Sequence, residues 1–183
     1  TIVVIGASAG GVEALERVVA GLPADLDASV LVTLHIGATA RSALPRILTR
    51  AGPLPATHAE DGAPLRRGEI VVAPPDRHLL IDRGRVRLGN GPRVNRHRPS
   101  VDVLFTSAAR WADGGTVAVV LSGSLDDGAV GSALVAHAGG RVIVQDPAEA
   151  RFAGMPLAAL AAAPSATAVP LTALAATLAA SVD

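Results

Sequence analysis

Four short runs of β-branched and aliphatic residues, at 2–5, 30–35, 116–121 and 141–145, are each followed by a turn-forming stretch and then by apolar residues at helical spacing. Runs so uniformly apolar leave no face for water and belong in a parallel sheet with helices on both sides. The alternation predicts an α/β fold: a doubly wound, mainly parallel sheet flanked by helices, whose loops gather at the strand C-termini and carry the site. Composition agrees, because half of the 183 residues are hydrophobic with only two Phe, one Trp and no Tyr, so Val, Leu, Ile and Ala must fill the core. This length suits one domain over residues 1–183.

The first helix is expected over 10–20, where Val12, Leu15, Val18 and Val19 share a face, and the second around 41–50. The middle of the chain, 53–90, is instead rich in Pro, Gly and Arg. It holds short runs at 69–73, 78–82 and 85–88, the last two separated by Arg83-Gly84, which predicts a β-hairpin excursion. Ser100 is placed to cap a helix running to about 112, with Val101, Leu104, Phe105 and Ala108 on one face. A helix through His137 follows the loop at 122–128; a short strand at 166–169 separates helices at 154–163 and 170–180. Pro156, Pro164 and Pro170 cut the Ala-rich stretch 155–180 into pieces too short to span a bilayer, so no membrane insertion is expected.

The formal charge is zero, with 16 basic residues, all Arg, against 16 acidic ones, so no overall field draws the chain to nucleic acid. Without cysteine there are no disulfides or thiolate metal sites, and no secretory signal is visible at the start. Both observations fit a cytoplasmic protein.

The first apolar run stops at Gly6, and Gly6, Ser8 and Gly10 match the G-x-S-x-G spacing of a nucleophile elbow, a tight strand-to-helix turn that lifts a serine hydroxyl clear of the backbone. Small neighbours are needed there because a substrate carbonyl must approach Ser8 and the amides that open the helix. Glycine-rich turns also bind phosphate, but Ser8 occupies the place of the second glycine of a dinucleotide fingerprint. A P-loop lysine is excluded, since the chain contains no lysine.

A serine nucleophile needs a base and an orienter for the base. His35 ends the second strand as Ser8 follows the first, whereas His58, His78, His97 and His137 read as surface or structural residues. The loop after the strand at 116–121 offers Asp126 and Asp127 as orienters, each of which could equally cap the following helix.

The sequence also resembles the catalytic domain of the CheB-type chemoreceptor protein-glutamate methylesterases over nearly its whole length. The resemblance rests on Ile5-Gly6-Ala7-Ser8 with Gly10-Gly11, His35, Glu60-Asp61-Gly62, Ala73-Pro74 with Asp76 and His78, Asn95-Arg96-His97-Arg98-Pro99-Ser100-Val101-Asp102, Leu121-Ser122-Gly123 with Asp127-Gly128, and Gly154-Met155-Pro156. It implies a Ser8, His35, Asp127 triad, no metal or organic cofactor, and hydrolysis of γ-glutamyl methyl esters on a receptor's cytoplasmic helices with release of methanol. Some members of the family also deamidate glutamine. The resemblance further implies oxyanion donors near Ala9 and in the 122–125 loop, and a receptor contact for the arginines of 95–102 unless that stretch only leads into the helix at Ser100.

The chain departs from the family pattern at several points. Ala9 replaces a usual Thr, Ile36-Gly37 stands where a Pro is common, and the usual Gly-Met-Gly-Asn-Asp-Gly loop reads Gly123-Ser124-Leu125-Asp126-Asp127-Gly128. If position 125 takes a positive φ, a leucine there is strained. Regulated members carry a receiver domain; none is expected within residues 1–183. Two other functions fit the same residues: a member of the fold acting on a different ester, and a non-catalytic member that binds a receptor or partner. The sequence does not fix the oligomeric state.

Overall fold

The computed structural model describes residues 1–112 and 115–182. Among these residues, seven parallel strands form one sheet in the order β3-β4-β2-β1-β7-β8-β9, and β5 and β6 form a separate antiparallel pair. The strands are β1 (Ile2–Ala7), β2 (Ser29–Leu34), β3 (Ala56–His58), β4 (Ile70–Val72), β5 (His78–Asp82), β6 (Arg85–Gly89), β7 (Thr116–Val120), β8 (Arg141–Gln145) and β9 (Thr167–Val169). The helices are α1 (Gly11–Ala20), α2 (Leu44–Ala51), α3 (Val101–Trp111), α4 (Ala129–His137), α5 (Gly154–Ala162) and α6 (Leu171–Ala179). None of them is long and apolar enough to cross a membrane.

The pleat of the central strands divides the core in two. Val3, Ile5, Val30 and Val32 pack with Leu15, Val18, Leu48 and Leu174 of α1, α2 and α6. Val4, Leu31, Ala118 and Val120 face the opposite way, onto Leu104, Phe105 and Val135 of α3 and α4. The hairpin covers the end of this second layer through Leu79 and Ile81, and the N–H of Ile81 is fixed by the Ser107 hydroxyl of α3 at 3.0 Å. Phe105 is fully buried; truncating such a side chain to alanine costs about 3–5 kcal/mol.

The chain leaves β1 toward β2 on one side and later returns to pair β7 on the other. The strand order therefore switches between β1 and β7, which opens a crevice at their C-terminal ends. Two details differ from the sequence expectations. The edge strand β3 lies in the Pro-, Gly- and Arg-rich middle of the chain, ahead of the runs expected there; it is three residues long and follows Pro53 and Pro55, a composition that suits a short protected edge. Ser100 does stand at the N-cap position of α3, but its side chain makes no capping hydrogen bond. Its hydroxyl donates to Asp127 instead.

Candidate active site

Three adjacent strand ends bring Ser8, His35 and Asp127 to the crevice: Ser8 follows β1, His35 follows β2, and Asp127 lies in the loop after β7. Backbone bonds hold the first two in register. The Ser8 N–H donates to the Ser122 carbonyl at 3.0 Å, and the His35 N–H to the Ala7 carbonyl at 3.1 Å. The turn after Ser8 has its left-handed residue at Gly10 (φ 71°), and Ser8 itself is absent from the residues with positive φ. The conformational demand of the turn thus falls on the glycine rather than on the serine, unlike the strained nucleophile of the elbow motif.

Close approach explains two further glycines. A Cβ on Gly6 would collide with Val101 at the start of α3. A Cβ on Gly123 would lie 2.9 Å from Ser8 Cβ and collide with Met155. The absence of both side chains lets α3 and the 122–128 loop close on the serine turn.

His35 Nε2 and Asp127 Oδ2 are 2.6 Å apart, and both side chains are almost fully buried. Asp127 accepts four other hydrogen bonds: from the N–H groups of Val101 (2.7 Å) and Asp102 (3.0 Å), the Ser100 hydroxyl (2.8 Å) and the Asn95 amide (3.0 Å). Burial pushes this carboxyl up, but the bonds from His35, Asp102, Val101 and Asn95 outweigh it and hold Asp127 at about 2. Its position on the first amides of α3 adds the favourable field of a helix N-terminus.

An ionised Asp127 fixes the tautomer of His35. Nε2 carries the hydrogen, so in the neutral ring Nδ1 presents a bare lone pair. Nδ1 is buried and has no hydrogen-bond partner among the described residues. Ser8 and His35 line one cleft of about 330 Å³ together with Val12, Leu34, Ile36 and Arg151. No hydrogen bond joins the Ser8 hydroxyl to His35 in this resting arrangement, a looseness common before substrate binds.

The structure separates the two candidate aspartates. Asp126 is exposed; Asp127 is buried and faces His35. Asp127 does cap a helix, but the helix is α3, not the one that follows it. Of the histidines read as structural, His78 is held between the Pro92 carbonyl and the Ser100 N–H, His58 reaches the Ser42 carbonyl, and His137 ends α4 on the surface. His97 differs from these. Its ring stacks on His35 with centroids 3.5 Å apart and planes 8° from parallel. Partial burial, followed by the nearby positive potential of His35, Arg93 and Arg96, lowers its pKa despite the pull of Asp127.

The sequence reading therefore missed the frame around Asp127 and His35: Asn95, His97, Ser100 and Asp102. The signal lies in the segment 95–102, Asn95-Arg96-His97-Arg98-Pro99-Ser100-Val101-Asp102, the longest unbroken stretch of family resemblance in the chain. Arg98 belongs to the internal structure, since it binds Asp76 at 2.8 and 3.0 Å and the Gly91 carbonyl at 2.9 Å.

Comparison with known proteins points in one direction. The family profile described as CheB methylesterase matches residues 3–178. A protein-glutamate methylesterase/protein-glutamine glutaminase of Anaeromyxobacter dehalogenans is 42% identical over 159 residues, which cover 87% of this chain and 47% of the relative. A relative from Leptospira interrogans, named for the same pair of activities, is 36% identical over 159 residues, 86% of this chain and 82% of its own length. The crystal structure of the Thermotoga maritima CheB methylesterase catalytic domain superposes with a TM-score of 0.90 at 31% identity, covering 98% of this chain and 97% of that one. The chain spans about half the length of the Anaeromyxobacter relative.

Proposed function

Because the chain belongs to the CheB methylesterase family, we propose that residues 1–183 form a single catalytic domain that demethylates glutamate γ-methyl esters on the cytoplasmic helices of chemoreceptors. The double name of the relatives extends the same chemistry to glutamine side chains. Such a substrate places the protein in the cytoplasm.

In this reading Ser8 Oγ attacks the ester carbonyl while His35 Nδ1 takes its proton. Asp127 holds the ring and stabilises the imidazolium that forms. The proton then passes to the leaving methoxide, methanol departs, and water repeats the sequence to free the glutamate carboxylate. The serine turn and the facing loop leave backbone amides open for an oxyanion. Ser122 N–H is committed to Gln145 and Gly123 N–H to the Phe152 carbonyl, whereas the Ala9 and Ser124 N–H groups donate to no acceptor among the described residues. They flank Ser8 from the turn and from the facing loop.

The observation that carries the proposal is the 2.6 Å contact of His35 with an ionised Asp127, which leaves a bare ring nitrogen beside the cleft of Ser8. A fluorophosphonate probe tests it. Labelling is expected at Ser8 in the wild type and is lost in His35→Ala; methanol release from methylated receptor reports the natural reaction. An unlabelled wild-type protein that still binds receptor would make the domain a binding module.

A further inference from the structure

The wall of the cleft that faces Ser8 is largely apolar, through Val12, Leu34 and Ile36, and Arg151 and Glu13 stand at its rim. Arg151 belongs to the loop between β8 and α5. Its stem lies against the serine turn: a Cβ built on Gly10 would come within 3.0 Å of Arg151 Cβ and 3.2 Å of its Cδ. The side chain is thus anchored two residues from Ser8 with its charged head free to reach over the opening. Among the described residues the head has only a loose partner, because Nη1 stands 3.8 Å from Glu13 Oε1 with the two side chains 67% and 73% exposed. An exposed pair at that separation holds a guanidinium weakly. Arg151 and Glu13 also line an adjoining cleft that carries Glu16, Arg17 and Glu149, so this rim marks the border between an apolar pocket and a charged groove.

We propose that Arg151 is a specificity-determining residue that pairs with a carboxylate on the substrate chain next to the scissile ester, while the apolar wall receives the uncharged ester arm. A methyl ester gives a cation nothing to bind. A neighbouring carboxylate does, and the planar guanidinium matches it with two parallel hydrogen bonds. Glu13 competes for the same fork, so it weakens the preference without abolishing it. The assignment rests on Ser8 being the nucleophile.

The test uses two peptides, each with one glutamate γ-methyl ester, flanked in one by glutamates and in the other by glutamines. In the wild type the acid-flanked peptide is expected to have the higher kcat/KM, by an amount that shrinks with added salt. Arg151→Gln lowers the acid-to-neutral ratio roughly fivefold through KM; Arg151→Lys keeps part of it, and Glu13→Gln raises it. In the Ser8→Ala protein, which does not turn over, adding Arg151→Gln weakens binding of the acid-flanked peptide. A ratio unchanged by Arg151→Gln, or equal losses on both peptides, overturns the assignment. A wild type that hydrolyses neither peptide and takes no fluorophosphonate label overturns the serine-esterase reading on which it rests, whereas a labelled wild type with no preference between the peptides overturns the Arg151 assignment alone.

Discussion

Asp127 and Asp102 exchange helix ends. Asp127, just before α4, accepts the first amides of α3, and Asp102, in the first turn of α3, accepts the Gly131 N–H in the first turn of α4 at 2.7 Å. Asn95 bridges the two carboxylates, donating to Asp102 at 2.7 Å and to Asp127 at 3.0 Å. The two differ in charge economy. Burial raises the Asp102 pKa, and the Gly131 and Asn95 bonds do not fully offset it, whereas the more numerous donors around Asp127 reverse the same penalty. The residue that faces His35 is therefore the one held firmly ionised.

Asp127→Asn is expected to lower methanol release by roughly three to four orders of magnitude, because an amide at this position favours the wrong tautomer of His35. Asp126→Asn, at an exposed position, should change it little. Turnover of the two variants on methylated receptor decides the matter; a larger loss for Asp126→Asn would move the orienting role from Asp127 to Asp126.

The same carboxylate sets a pH dependence of stability. Its pKa falls from 3.8 to about 2 on folding, so the ionised form favours the folded chain above pH 4, by about 2 kcal/mol. That advantage is lost as pH falls from 4 through 2. Urea unfolding should therefore show a gap between wild type and Asp127→Asn that is widest at neutral pH and narrows at pH 3. A gap independent of pH would show that the carboxylate charge contributes nothing to folding.

Ser8→Ala should abolish probe labelling and nearly all turnover while leaving the melting temperature close to wild type, since the change shortens a small side chain at the cleft. Substantial methanol release by this variant would require another nucleophile.

His97 covers one face of His35. Replacing it with alanine removes that wall and lets the ring tilt, lowering kcat by about tenfold, and His97→Phe should preserve more of the rate because it keeps a flat neutral partner. Equal losses in both variants, with unchanged far-UV circular dichroism, would mean that the imidazole itself matters rather than its surface.

Leu125 has a φ of 65° and is 58% exposed. A left-handed conformation costs a non-glycine residue about 1–2 kcal/mol, and little packing is lost on truncation, so Leu125→Gly is expected to raise stability by up to about 1 kcal/mol after the added unfolded-state entropy is paid. A lower melting temperature for this variant would mean that the leucine side chain makes a contact worth more than the strain.

Most strands and helices were legible because their periodicities are clean: 78–82 and 141–145 match β5 and β8 at both ends. The β3 strand was not, because three residues, Ala56-Thr57-His58, directly after Pro55 carry no period. At the site, Ser8 and His35 could be read from strand-end position, and Asp127 came from the family pattern, since spacing left it level with Asp126. Local rules misassigned the caps. Ser100 and Asp127 both satisfy the sequence signature of a helix start, and only tertiary docking of α3 against α4 decides that Asp127 serves the helix that precedes it. The stack of His97 on His35 joins residues 62 positions apart, and no local pattern encodes it.

The central strand gives the serine an unusual address. Val3, Val4 and Ile5 are wholly sealed from solvent, yet three residues later the chain delivers Ser8 to an open cleft. Ser8 is thus tethered to the most deeply sealed part of the sheet, where amide exchange is expected to be slow, and His35 and Asp127 hang from the two strands that flank it. The edge strands β3 and β9 each lie three places away from β1 in the sheet. Loss of activity on heating should coincide with cooperative collapse of the whole sheet, so that surviving turnover counts the molecules still folded.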